Sequence, residues 1–136
     1  MSELDAGVRT LLEAPNFAHV ATLLPDGAPV SVAVWAGIHE GRPYFFTQPQ
    51  SQKARNLARD GRIALSLIDR DNPYRTGRLR GTVRHTIAGD AALELIDRLA
   101  VAYTGQPFPM RSGVVYLVDV ARSTFFELPF SDSPAA

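Results

Sequence analysis

The stretch Phe46-Thr47-Gln48-Pro49-Gln50-Ser51-Gln52-Lys53-Ala54-Arg55-Asn56-Leu57 carries a β-type segment into a helix start and gathers hydroxyls and a cation at the junction. A helix N-terminus presents unpaired N–H groups and about half a positive charge, so Thr47, Ser51 and Lys53 beside it would complete a phosphate cradle that uses no glycine. Lys53 is the single lysine among 14 basic residues. Every other cation is a forked guanidinium, and the compact ammonium has been placed here. A capped helix with a solvated lysine is the competing reading of the same residues.

Elsewhere the sequence offers little intrinsic chemistry. Zero cysteines exclude a thiol nucleophile, a disulfide framework and a cysteine metal site, and the three histidines are too scattered for a zinc cluster. No Ser-His-Asp set and no carboxylate pair at a legible spacing supports an acid–base catalyst, so no catalytic side chain is assigned. Redox chemistry would need a borrowed cofactor. His19, between Ala18 and Val20, reads as a core or rim residue, His39 as a turn residue and His85 as a surface one. Trp35 is either a packed aromatic or a platform for a planar ligand, and Tyr74, after Pro73, either packs a loop or borders a substrate mouth. The Phe108-Pro109-Met110-Arg111 loop is placed at the border of a pocket, and Phe125, Phe126 and Phe130 are given to the core or an interface.

The formal net charge is zero, but residues 53–84 hold nine basic against three acidic groups, a net of +6, and each flank is −3. Charge so segregated points to an anionic ligand for the middle segment, with a solvated basic face as the alternative. A neutral total without the aromatic-basic motifs of the usual modules excludes nucleic-acid binding. At 136 residues, 46% hydrophobic and 21% charged, the chain is one globular domain with a real core. No run approaches the roughly 20 apolar residues of a membrane span, and the N-terminus is acidic, so a soluble cytoplasmic protein is expected.

The elements that must position these residues are legible from period and punctuation. Ser2–Glu13 reads as a helix with Ser2 and Asp5 approximating a capping box, an inner stripe of Leu4, Val8, Leu11 and Leu12, and Pro15 as its stop. Phe17–Leu24 and Ala28–Ile38 form a hairpin about Pro25-Asp26-Gly27, the second strand half-buried and alternating Val30, Val32, Val34 with Ser31, Ala33, Trp35. Pro43–Thr47 should join it as a third strand of a meander. Ser51–Arg59 is a helix capped by Ser51 with Ala54, Leu57 and Ala58 inward; Arg62–Asp69 is strand four. Gly77–Ile87 is strand five, with Arg78, Arg80, Thr82 and Arg84 making one basic face. Asp90–Tyr103 is an amphipathic helix burying Leu93, Ile96, Leu99 and Ala100, and strands Val114–Ala121 and Ser123–Leu128 lead to a flexible tail, 129–136. Seven hairpin-connected strands with short inserted helices do not fit a parallel βαβ sheet, so the expected fold is mainly β, a small antiparallel barrel.

Thr47, then Ser51-Gln52-Lys53 and Leu57, resemble the phosphate-binding segment of the pyridoxamine 5'-phosphate oxidase-like split β-barrel flavoproteins. The element order, the Pro25-Asp26-Gly27 hairpin, Val34-Trp35, Asn72-Pro73-Tyr74-Arg75 and Arg80-Gly81 are similar to the branch containing deazaflavin (coenzyme F-420)-dependent reductases, over most of residues 10–128. The resemblance implies a split β-barrel of six to seven antiparallel strands, homodimeric, with cofactor sites at the subunit interface. It implies that Thr47, Ser51 and Lys53 hold the cofactor phosphate and that Ser31, Val32, Ala33, Val34 and Trp35 run beside the ribityl chain and ring. Phe46, Gln52, Arg55, Tyr74 and Arg78 complete the implied cofactor-binding set. Flavin-binding oxidases of this type usually carry arginine at Gln52 and another near Ser31, a departure that disfavours tight FMN binding. The oligoglutamate tail of the deazaflavin could meet the basic residues between Arg55 and Arg84. The implied activity is hydride transfer from reduced F-420 to a small organic acceptor, for which the protein need only orient the ring and exclude water. The alternatives are an FMN-dependent protein on the same fold and a non-catalytic module that binds the cofactor or haem.

Overall fold

The structure, a computed structural model, describes residues 4–130. Asp5 opens the first helix, α1 (Ala6–Glu13), its carboxylate accepting hydrogen bonds from the N–H groups of Gly7 and Val8. The helix is thus shorter than the expected Ser2–Glu13 because Asp5 is itself the cap; Ser2 and the tail beyond Phe130 lie outside the described residues. Its stripe of Val8, Leu11 and Leu12 is buried.

Seven strands follow: β1 (Phe17–Leu23), β2 (Pro29–Trp35), β3 (Gly37–His39), β4 (Arg42–Thr47), β5 (Arg62–Ile68), β6 (Arg75–Ile87) and β7 (Val114–Glu127). Helix α2 (Gln52–Arg59) lies between β4 and β5, and α3 (Gly89–Thr104) between β6 and β7. All strand pairs are antiparallel, in one sheet of order β2-β1-β5-β6-β7-β4-β3. β2 and β3 are consecutive in the chain yet occupy the two ends of that order, so the sheet must curl until its margins are joined through Ala36. The result is the expected mainly β architecture, a curled half-barrel with three short helices.

Several expectations of detail are corrected. The run Ala28–Ile38 is not one strand: Ala36 is buried, its N–H and C=O both within hydrogen-bond distance of the Tyr103 hydroxyl, and the chain changes partners there. β2 pairs with β1 and β3 with β4, so no three-stranded meander forms. The alternation expected in β2 is partial: Val30 and Val34 are half-buried and Ser31 and Ala33 exposed, but Val32 is exposed as well and Trp35 is half-buried. Val114–Ala121 and Ser123–Leu128 are one continuous strand, β7, because Arg122 keeps its place opposite Arg80.

The basic face of β6 is interrupted as well. Register shifts between Arg80 and Gly81 and between Val83 and His85 break the period, so Arg78 and Arg80 point outward together while Thr82 is half-buried. At the first shift β6 and β7 come so close that a Cβ on Gly81 would collide with the Asp119 carbonyl oxygen. Two packed clusters result. Leu65, Leu67, Val20, Phe45 and Val118 fill the curl beneath α1 and α2, and Leu95, Ile96 and Leu99 of α3 cover Tyr44 and Val115 on β4 and β7. In α2 the inward residues are Ala54, Asn56 and Leu57; Ala58, expected inside, is exposed. Among the described residues no helix is long and apolar enough to cross a membrane.

Candidate functional site

β4 delivers Thr47 to the start of α2, and Ser51 caps that helix by accepting a hydrogen bond from the Ala54 N–H at 3.1 Å. Thr47 Oγ1 donates to Ser51 Oγ at 2.9 Å, so both lone-pair directions of Ser51 Oγ are taken and its own proton is left to point outward. Lys53, in the first turn, is half-buried and has no carboxylate at ion-pair distance among the described residues. Burial alone holds its pKa below the ordinary lysine value. Two hydroxyls, the helix N-terminus and an unpaired ammonium therefore converge, as the sequence predicts.

This polar corner, with Gln48 beside it, opens into a cavity of about 380 Å³ whose other walls are apolar, among them Trp35 from β2, Phe46 from β4, and Phe108 and Met110 from the loop after α3. That volume is in the range of small-molecule sites. The aromatic wall is locked together. Trp35 and Tyr103 stack with ring centroids 5.3 Å apart and planes 18° apart, and Phe46 meets Phe108 edge-on at 5.0 Å. The Tyr103 hydroxyl donates to the Asn16 carbonyl at 2.5 Å and accepts from the Ala36 N–H at 3.1 Å, fixing the corner next to Trp35. Burial raises the Tyr103 pKa, which keeps that proton in place.

The loop that carries Phe108 and Met110 is held at both ends. Asp97 on α3 accepts from the Phe108 N–H at 3.1 Å and from both terminal nitrogens of Arg111 at 2.9 and 3.1 Å. Hydrogen bonding to Arg111 holds the Asp97 carboxyl below the usual range. On the other side Gln48 Nε2 donates to the Ser112 carbonyl and Ser112 Oγ donates to Gln48 Oε1, tying the loop to the approach to the cradle.

Of the residues expected around a cofactor, Ala33, Val34, Trp35, Phe46, Thr47 and Lys53 line this one cavity, and Ser51 joins it through Thr47. The others lie elsewhere. Gln52 Nε2 donates to Asn56 Oδ1, and Gln52 Oε1 accepts from Arg55, whose guanidinium also reaches the Gln50 backbone carbonyl. Val32 is exposed on the β2 margin, and the Tyr74 ring packs on Phe130 at 5.4 Å. Ser31 and Arg78 line a separate cavity of about 550 Å³ on the outer face of the sheet, where His19 also stands. His19 is therefore a surface residue rather than a core one, while His39 sits at the turn, 3.7 Å from Glu40, and His85 is exposed. Tyr103, Gln48 and Asp97 are the contributors that the sequence reading passed over. Tyr103 is the last aromatic of an amphipathic helix and looks like core, and the Asp97–Arg111 spacing has no local signature. Among the described residues no group of three or more metal-ligating side chains converges.

Comparison with known proteins gives a family and a fold. The family described as pyridoxamine 5'-phosphate oxidase matches residues 4–125. A curated pyridoxine/pyridoxamine 5'-phosphate oxidase from Bacteroides thetaiotaomicron is 33% identical over 66 residues, which are 48% of this chain and 31% of that one. The match thus spans about a third of the relative's length. Among solved structures, an F-420 reductase superposes with a TM-score of 0.76 at 31% identity, over 85% of this chain and 94% of that one. A conserved hypothetical protein from Mycobacterium tuberculosis superposes with a TM-score of 0.78 at 24% identity, over 100% and 94% of the two chains, a likeness of fold alone.

Proposed function

The chain belongs to the pyridoxamine 5'-phosphate oxidase family, and from that premise we propose that it is an oxidoreductase that binds the deazaflavin coenzyme F-420 and passes its hydride to a small organic acceptor. The observation that carries this reading is Lys53: a half-buried ammonium without a carboxylate partner among the described residues, beside two hydroxyls and a helix N-terminus, at the mouth of an aromatic-walled cavity. An uncompensated, desolvated cation is costly to keep, and a phosphate would relieve that cost.

The residues present fit the cofactor in both its parts. Lys53, Ser51 and the N–H groups that open α2 would hold the phosphate, and the Trp35, Phe46 and Phe108 wall would flank the planar ring. When bound, the reduced deazaflavin supplies the hydride. The chain's part is to hold the ring in one plane against the acceptor and to exclude water with Phe108 and Met110. FMN also carries a phosphate on its ribityl chain and a similar ring; what favours the deazaflavin is Gln52, which turns toward Asn56 and Arg55 and adds no cation to the cradle. The F-420 reductase among the similar structures supports the same choice. The open β2 margin, with Ser31, Val32 and Ala33 exposed beside the cavity, supports a homodimer in which a second copy covers it.

Trp35 is the sole tryptophan of the chain, so cofactor binding is read directly as quenching of its fluorescence. Lys53→Ala weakens F-420 and FMN alike by about 10- to 150-fold, the loss of one charge-assisted bond of about 1.5–3 kcal/mol. Unchanged affinity in that variant, or FMN binding far tighter than deazaflavin binding in the parent protein, overturns the assignment. Turnover of reduced F-420 with a panel of enones and quinones separates an enzyme from a storage module.

A further inference from the structure

A cavity of about 750 Å³ opens between the first turns of α1 and the turn that joins β3 to β4, with β7 as its back wall. It shares no lining residue with the Lys53 cavity. Leu4, Val118 and Val120 give it an apolar side, which continues into the core cluster beneath α1. Arg9 enters from α1 and Arg42 from β4, so two guanidiniums reach the same space from different elements. Arg9 is exposed and has no carboxylate at ion-pair distance among the described residues.

The carboxylates on the wall do not balance these cations. Glu40 has His39 beside it at 3.7 Å, and Asp119 lies between two guanidiniums, with Arg42 Nε 3.1 Å from Oδ1 and Arg84 Nη1 3.6 Å from Oδ2. Neither arginine contact forms a hydrogen bond, and Asp119 Oδ1 is buried without a hydrogen-bond partner among the described residues. Charge alone therefore holds Arg42 near Asp119, and its fork of N–H donors stays unspent although the residue is half-buried. Such donors gain from an anion that meets them in line. Arg84 keeps a cation beside Asp119 when Arg42 turns to a ligand. We propose that this cavity binds a small amphipathic anion, its single carboxylate or phosphate head gripped by Arg9 and Arg42 and its apolar body laid against Leu4, Val118 and Val120. One head suits two converging forks, and the apolar side rewards a ligand that brings hydrocarbon with its charge.

The test is calorimetric titration with octanoate and, separately, with phenyl phosphate, against the parent protein, Arg9→Gln, Arg42→Gln and Lys53→Ala. Acetate and inorganic phosphate carry the head without the body, and octanamide carries the body without the charge. At least one of the two probes binds the parent saturably, and the three controls bind at least tenfold more weakly. Arg9→Gln and Arg42→Gln each weaken the probe at least tenfold, and Lys53→Ala leaves it unchanged. Octanoate alone identifies a carboxylate head and phenyl phosphate alone a phosphate head; both outcomes support the site. Arg9 is exposed on α1, so Arg9→Gln keeps the test decisive even where Arg42→Gln, which strips a cation from Asp119, melts early. The proposal fails if neither probe binds, if octanamide binds as well as octanoate, if Arg9→Gln binds like the parent, or if Lys53→Ala removes the binding, which would place the anion in the cradle. Cofactor quenching of Trp35 is unchanged in Arg9→Gln, so failure here is distinguishable from failure of the cofactor assignment.

Discussion

Replacing Tyr103 by phenylalanine removes one oxygen atom and leaves the ring, so it isolates the work of the hydroxyl that pins the corner between β2 and β3. That hydroxyl satisfies the Ala36 N–H at 3.1 Å and the Asn16 carbonyl at 2.5 Å, on residues only 2% and 3% exposed. Water cannot reach either group to replace it. Each orphaned buried polar group costs about 1–3 kcal/mol, so Tyr103→Phe is expected to lose about 2–4 kcal/mol. For a domain of this size that lowers the melting temperature by roughly 10 °C. Urea and thermal unfolding measure the loss, and Tyr116→Phe is the control. Tyr116 also stacks on another aromatic ring, Phe45 at 5.4 Å, but its hydroxyl makes no hydrogen bond within the described residues, so that change costs under about 1 kcal/mol. The emission of Trp35 reports the geometry: quenching by acrylamide rises in Tyr103→Phe and not in Tyr116→Phe. Equal stabilities for the two variants, or a Trp35 signal that ignores Tyr103, would refute the pinning.

Two further outcomes follow from the same coordinates. Asp97→Asn frees the loop that carries Phe108 and Met110, so amide exchange over residues 105–113 accelerates and cofactor affinity falls. Because Arg111 holds the Asp97 carboxyl below its ordinary value of 3.8, the clasp is complete above that value and is lost as pH falls through the lowered one. The parent loop should therefore loosen in acid, whereas the loop of Asp97→Asn should show no such dependence. Tyr44 is 1% exposed, and burial pushes its pKa from 10.0 up to about 12. A raised folded pKa gives stability that is intact below 10 and declines as pH climbs to about 12, a difference of roughly 3 kcal/mol. Urea unfolding at a series of alkaline pH values shows that decline in the parent; an equally steep decline in Tyr44→Phe would sink the reasoning.

How much of this was legible in the residues depends on whether the cause was local. The Ser51 cap, the Asp60 exit of α2, the outward Arg78 and Arg80 and the Val8, Leu11, Leu12 stripe follow from spacing alone, and the structure has them. That Thr47, Ser51 and Lys53 come together was legible for the same reason, since they are neighbours in sequence. The break at Ala36 was not. A single glycine after Trp35-Ala36 is too weak a signal to end a strand, and the break is pinned by a hydroxyl 67 residues away. The continuity of β7 through Arg122 was hidden in the same way, because it depends on pairing with β6 rather than on the composition of the turn-like Ala-Arg-Ser. The sorting of Gln52 and Arg55 away from the cavity likewise depends on where the buried Asn56 finds its partners, Thr22 on β1 among them.

The covalent link between the two margins of the sheet makes residue 36 a place where length is converted into orientation. Side chains alternate faces along a strand, so one residue inserted after Trp35 cannot be absorbed as slack. Either β2 slides against β1 and every side chain from Pro29 to Trp35 changes face, or β3 slides against β4 by the same step. The first alternative takes the indole out of the aromatic wall, and the second draws Gly37 away from Tyr44, where an added Cβ would already lie within 3.0 Å of the ring. A deletion there has the same two exits. The chain thus tolerates sequence change at this corner far more readily than change of spacing, and homologues that differ in length should place their insertions in the hairpin about Gly27 or the turn at Gly41, where the backbone has open space.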